Sequence, residues 1–213
     1  MKKLIIISIL FFSYSLSSQT AFFNTGLNTT SYDYKNSEGN SNENIKSSNG
    51  TFFEIGYSFP IEFSRRTRSF GRYSRLHFKT GLSLNQYNAT GGNSIDNYDW
   101  KSQFIGLRSD LEYFIFAADF LSVSVDGGLG LEVFLNGKQK IGGNTYNLKD
   151  SDEFNGLFFT PRVGINLSVN VSEEVALMGG FNLSKAISPS KSNQESVSFN
   201  NSQFRFGVII QVY

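Results

Sequence analysis

The amino-acid sequence predicts an all-β fold, an eight-stranded antiparallel up-and-down transmembrane β-barrel. Apolar and polar residues alternate strictly in segment after segment, which is the period of strands with two unlike faces. The connections between these segments are by turns long and polar, then short, as in a meander whose two ends differ. A third observation concerns the medium: after residue 18 no run is long or apolar enough for a membrane helix, which needs about 20 residues. Exported chains of that kind end in the periplasm, outside the cell, or in a membrane as a closed barrel.

Export itself is read from the N-terminus. Lys2 and Lys3 precede an apolar run from Leu4 to Phe12, followed by small polar residues from Ser15 to Ser18, the layout of a signal peptide. Cleavage is expected near Ser18 and Gln19, which leaves a barrel domain over 19–213. The 213 residues include 19 basic and 18 acidic ones, a formal charge of +1, and this leaves no electrostatic footprint for nucleic acid. Cysteine is absent, so a disulfide framework, a thiolate metal site and a lipidated cysteine are excluded. A single histidine argues against a conventional zinc site. No cofactor is implied.

The first strand is expected near 20–31. The second sets Phe53, Ile55, Tyr57 and Phe59 against Phe52, Glu54, Gly56 and Ser58, and the third sets Leu76, Phe78, Thr80, Leu82 and Leu84 against Arg75, His77, Lys79, Gly81 and Ser83. A fourth falls near 100–115. In the fifth, Leu121, Val123, Val125, Leu129, Leu131 and Val133 oppose Ser122, Ser124, Asp126, Gly128, Gly130 and Glu132. The sixth places Val163, Ile165, Leu167, Val169 and Val171 opposite Arg162, Gly164, Asn166, Ser168 and Asn170, and the seventh and eighth lie near 175–186 and 203–213. Long polar loops are expected near 32–50, 88–99, 136–153 and 187–201, typified by NSEGNSNENIKSSNG at 36–50, a composition that builds no core of its own. Tight turns fall near 117–119 and 172–174. The connection over 60–72 carries Arg65, Arg66, Arg68 and Arg72; it reads as a solvated turn or a contact for a protein partner.

Volume decides which face looks outward, because the interior of an eight-stranded barrel is only just wide enough for side chains to fill. The polar face is rich in Gly and Ser and fits that space, whereas the bulky face does not. The bulky face is therefore assigned to lipid, and a soluble lipocalin-like carrier becomes the alternative. Aromatic residues at strand ends agree with interfacial rings: Tyr57, Phe59, Tyr73, Tyr113, Phe116 and Phe120 at the turn end, and Trp100, Phe134, Phe154, Phe159 and Phe204 at the loop end.

These residues resemble the small outer-membrane β-barrel proteins of OmpA-like and OmpX-like build, in particular the Phe- and Tyr-rich versions grouped as PorT-like outer-membrane β-barrel domain proteins. The resemblance covers nearly all of the mature chain and implies a bacterial outer-membrane location, contact with outer-membrane lipid, and handling by the barrel-assembly machinery during insertion. Its insertion signal maps onto Arg205, Gly207, Ile210 and Val212, with Tyr213 last. The alternating positions here are aliphatic and the aromatic comes one residue late. Some relatives of this size are lipid-modifying enzymes, acyltransferases or deacylases, which need His, Ser and an acidic partner. The only histidine, His77, is followed by Phe78 and Lys79, so it has no His-x-Ser pattern, and it is expected as a satisfied interior side chain. Alternation sends Ser109 to the face opposite Arg108 and Asp110. DGGLGLE at 126–132 opens no helix and is not a phosphate loop, and Asp150, Asp152 and Glu153 lack the spacing of a calcium loop.

The expected function is that of a non-enzymatic structural or interaction barrel, or an accessory of an envelope or secretion machine, with four long surface loops and a plugged interior. Alternation places Arg75, Lys79, Arg108, Arg162 and Arg205 inside with Glu54, Asp110, Glu112, Asp126 and Glu132. In a meander Arg75 falls near Asp110 and Glu112, and Glu132 near Arg162. Matched buried charges of this kind are expected to pair with one another.

Overall fold

A computed structural model describes residues 19–35, 45–61, 74–92, 97–150, 154, 156–188 and 196–212. Nine strands occur among them: β1 (Gln19–Lys35), β2 (Ile45–Pro60), β3 (Leu76–Gly92), β4 (Asn97–Ala117), β5 (Leu121–Ile141), β6 (Asn144–Asn147), β7 (Leu157–Asn170), β8 (Val175–Ile187) and β9 (Ser196–Val212). Eight of them form the barrel. Sequential neighbours pair antiparallel, β4 joins β5, and β9 returns to β1 with Gln19 opposite Val212, so the sheet closes and leaves no edge within the wall. β6 is a short addition that pairs with the projecting end of β5 through a two-residue turn. That turn consists of Gly142 and Gly143, with φ of 53° and 87°, and positive φ at both central positions is what a type I′ hairpin requires.

The apolar set faces outward. Leu27, Ile55, Leu107, Leu129, Val163, Leu177 and Phe206 are exposed, while Asn24, Glu54, Arg108, Asp126, Asn166 and Arg205 are buried. This is the inverse of a soluble core, and it agrees with a lipid-facing wall in which closure removes the unpaired sheet edges. Between β4 and β5, Ala118 N donates to Leu121 O at 2.8 Å. Between β7 and β8, Ser172 Oγ accepts from Glu174 N and Val175 N at 3.3 and 3.1 Å, a side chain standing in for backbone in a tight turn. The turn between β2 and β3 is closed by Ile61 N donating to Leu76 O. Its arginines 65, 66, 68 and 72, like Tyr73 and the export segment 1–18, lie outside the described residues.

The strands run further than the alternation of apolar residues suggests. Segments 32–35, 45–50, 88–92, 136–141 and 196–201, expected as loops, are strand. They look like loops because their polarity is reversed. Below this level polar residues point in and apolar ones out; above it Tyr32, Ala89, Val197 and Phe199 are buried inside while Ser31, Asn88 and Asn200 face outward. Once the wall rises out of an apolar medium, water takes the outer face and the inner face collects the apolar groups.

Closure makes β9 indispensable, because it bonds to both β8 and β1. A Cβ at Gly207 would lie 2.6 Å from Phe23 O and would also meet Asn24 Oδ1. Truncation from Gln203, or Gly207→Arg, is expected to abolish the heat-modifiable migration of a closed barrel on a gel. A normal heat-modifiable band from either variant would contradict this topology.

Candidate functional site in the barrel interior

The lower interior is a layer of charge. Lys79, Arg108, Arg162 and Arg205 lie there with Glu54, Asp110, Glu112, Asp126 and Glu132, all nearly sealed from solvent. Arg108 contacts Glu54 and places Nη2 3.0 Å from Asp110 Oδ2. Lys79 Nζ is 3.5 Å from Glu112 Oε2 and sits 4.9 Å above the Phe22 ring. Arg205 Nη2 donates to Asp126 Oδ2 at 2.7 Å and to Asn166 Oδ1 at 2.9 Å. Asn166 Nδ2 donates in turn to Asp126 Oδ2 at 2.7 Å and to Glu112 Oε1 at 3.2 Å. The buried amide therefore joins two carboxylates to one arginine.

Glycine at the intervening strand makes these contacts possible. Asp110 is opposite Gly128, and Gly128 is opposite Arg162, so the three form one rung across β4, β5 and β7. Any side chain at position 128 would collide with Asp110. With none, Arg162 Nε approaches Asp110 Oδ1 to 3.6 Å. Gly180 plays the same part between Asn166 and Arg205, where a Cβ would stand 2.5 Å from Asn166 Oδ1.

Two sequence expectations are corrected here. Arg75 is exposed and precedes β3; its carbonyl accepts from Phe114 N at 2.8 Å. Alternation does not extend past the strand end, so Lys79, two inward positions further along, meets Glu112 instead. The described interior thus holds four cations and five carboxylates. Arg162 also does not pair with Glu132. Glu132 is in register with Phe158, four positions from Arg162, and accepts from Tyr87 Oη at 2.7 Å and Asn85 Nδ2 at 3.1 Å. Strand stagger, which a face assignment alone does not supply, separates the two.

Above Glu132 lies an aromatic layer that sequence reasoning missed. Tyr32, Tyr87, Phe104, Phe154, Phe158 and Phe199 pack with Leu148 and Val197 inside the upper barrel. Tyr32 and Phe199 meet edge to face with centroids 4.7 Å apart, and Phe104 and Phe158 do so at 5.1 Å, the arrangement aromatic quadrupoles favour. The polar tips are satisfied: Tyr32 Oη donates to Tyr87 O at 2.7 Å, beside Ser102 Oγ. Phe154, expected in an interfacial ring, is buried in this layer, and Phe134 and Trp100 pack against it. Tyr57, Tyr113, Phe116, Phe120, Phe159 and Phe204 do face outward. The signal for the inner layer was available, since Tyr32, Tyr87 and Phe199 continue the inward register of their strands.

Other candidates resolve simply. His77 is partly buried, with Nδ1 3.2 Å from Ser58 Oγ, Nε2 3.1 Å from Ser74 O, and its ring edge-on to Phe114. Ser109 is exposed on the outer face while Arg108 and Asp110 point in. Of the insertion-signal positions, Arg205 is buried inside, Gly207 faces inward, Ile210 and Val212 are exposed outward, and Tyr213 lies outside the described residues.

Removing one partner of a buried pair strands the other. Arg205→Met should destabilise the barrel by about 3–5 kcal/mol in denaturant titrations, and adding Asp126→Asn should recover part of that loss. A double-mutant cycle should find coupling for Arg162 with Asp110 and near-additivity for Arg162 with Glu132. Strong coupling in the second pair would contradict the register described.

Comparison with known proteins agrees with this architecture. The family described as outer membrane protein beta-barrel domain matches residues 4–209. Among solved structures, the chain is similar to neisserial surface protein A (NspA), with 16% identity, 90% of this chain and 99% of that chain covered, and a TM-score of 0.49. It is also similar to OprG from Pseudomonas aeruginosa, with 10% identity, coverage of 91% and 96%, and a TM-score of 0.48. The N-terminal β-barrel domain of Pseudomonas aeruginosa OprF aligns with 10% identity, coverage of 92% and 100%, and a TM-score of 0.42. No curated protein matches the chain. With a closed eight-stranded wall, an outward apolar face and a family match over nearly its whole length, the chain belongs to the outer membrane protein beta-barrel domain family.

Proposed function

We propose that this protein is a non-enzymatic outer-membrane barrel with a plugged interior, which serves as a structural or interaction element of the cell envelope. The observation that carries this reading is the pair of stacked layers, paired charges below and packed aromatic rings above, in a lumen that eight strands make only just wide enough for side chains. A conducting pore needs a continuous aqueous path, and the charged side chains lining this one are held by one another or by buried amide and phenol groups. A hydrolytic or transfer reaction needs a base within reach of an activated hydroxyl. His77 Nδ1 does lie 3.2 Å from Ser58 Oγ, but its Nε2 contacts the Ser74 carbonyl and no carboxylate among the described residues, so the acidic partner that would orient such a base is not in place at this partly buried site near the turn end.

Export with removal of 1–18 and delivery by barrel-assembly machinery complete the reading. The polar outward faces of the strand extensions and their loops, or the basic turn over 60–72, would then offer the contact surface for a protein partner. Purified protein in planar bilayers is expected to give no sustained, well-defined single-channel currents. Regular unitary conductance from the folded, heat-modifiable form would overturn the plugged interior.

A further inference from the structure

One outward-facing lysine stands where the outer face passes from apolar to polar, in register with Asn200 and through it with Ser31. On β8, Lys185 is exposed between Leu183 and Ile187, both exposed large apolar residues. On β7 the neighbouring outward positions are Val163 and Phe159, also exposed, with Pro161 between them. The ladder joining these strands sets Phe159 opposite Ile187 and Arg162 opposite Ser184, with no pair in the interval, because proline has no N–H to contribute. From this gap an open groove of about 650 Å³ crosses the outer face to β9 and β1, where Asn200, Ser202, Thr29 and Ser31 line it. Thr29 Oγ1 donates to Asn49 Oδ1 at 2.9 Å. The side chains of Ser31, Lys185, Asn200 and Ser202 have no partner among the described residues.

The groove lies at the upper margin of the lipid-facing belt. The next outward residue below Thr29 is Leu27, below Ser202 it is Phe204, and below Lys185 it is Leu183, all exposed and apolar. A cationic side chain among lipid chains is unfavourable unless it reaches an anion, and the penalty falls toward the interface. The hydroxyl and amide groups in a row at the same level have no described protein partner and are open to a ligand that donates and accepts many hydrogen bonds. One class of molecule, with acyl chains to suit the apolar belt below, meets both demands together. We infer that this groove binds an anionic glycolipid of the surrounding membrane. Its acyl chains lie along Leu27, Phe204 and Leu183, its sugar hydroxyls meet Ser31, Asn200 and Ser202, and a phosphate or carboxylate on the sugar pairs with Lys185 Nζ. The inference rests on the membrane location of the barrel and is independent of whether the interior conducts.

The test uses folded protein in phosphatidylcholine nanodiscs doped with either diphosphorylated lipid A or the same amount of phosphatidylglycerol. Native mass spectrometry then counts the lipid retained. Lys185→Met removes the charge while remaining compatible with a lipid-facing wall, and Ser31→Leu with Ser202→Leu removes the hydroxyl floor. Heat-modifiable migration reports separately that each variant is a closed barrel. Wild-type protein should retain lipid A in preference to phosphatidylglycerol, and each variant should retain about tenfold less or lower still, the worth of one charge-assisted hydrogen bond for Lys185→Met and of two neutral ones for the double serine variant. Absence of retention by wild type, equal retention of phosphatidylglycerol, or undiminished retention by either closed-barrel variant would overturn the site.

Discussion

The structure depends on one constraint: an eight-stranded wall encloses a space that its own side chains must fill and mutually satisfy. Two rungs across the barrel therefore balance long side chains against a missing one. Arg162 reaches Asp110 because Gly128 lies between them, and Arg205 reaches Asn166 because Gly180 does. The glycines cost strand propensity. That cost is offset by contacts which no larger residue in the same place would permit.

Filling takes two chemical forms, and the change between them follows the medium outside. Where the outer face is apolar, the interior is mostly ions and amides, with Phe22, Phe52 and Met178 among them. Where the outer face becomes polar, the interior becomes aromatic. Glu132 stands at the boundary, held by Asn85 from the polar side and by the Tyr87 hydroxyl from the aromatic side. Buried ion pairs contribute little net stability, because desolvation roughly cancels their attraction, but mismatching them is costly. The lower layer accordingly enforces strand register, whereas ring packing and apolar burial in the upper layer contribute stability directly.

The sequence revealed the part of this design that has a strict period. The alternation of Leu121 through Val133, or of Val163 through Val171, identifies strands and, with the volume argument, their lipid face. Nine of the ten residues expected inside are there. The tenth, Arg75, failed because the end of a strand is set by hydrogen bonding to its neighbours, and no periodicity marks it. The pairing of Arg162 failed for a related reason: which rung meets which depends on stagger accumulated around the barrel. The aromatic layer escaped notice because a reading that sends apolar residues outward has no place for Phe199 or Phe154 inside. Tyr213 and the arginines of the 60–72 turn lie beyond the described residues.

The central claim is that a single continuous wall reverses its polarity along its length. Solution NMR of the folded protein in detergent micelles tests this by mapping contacts between side chains and detergent acyl chains. Strong acyl contacts are expected at Leu27, Phe204 and Leu107. None are expected at Tyr87, Phe104 or Phe199, whose ring protons should show contacts to one another, and the backbone amides of Tyr32 and Phe199 should exchange slowly. Acyl contacts at the rings of Phe104 and Phe199, or rapid amide exchange throughout the strand extensions, would contradict the account.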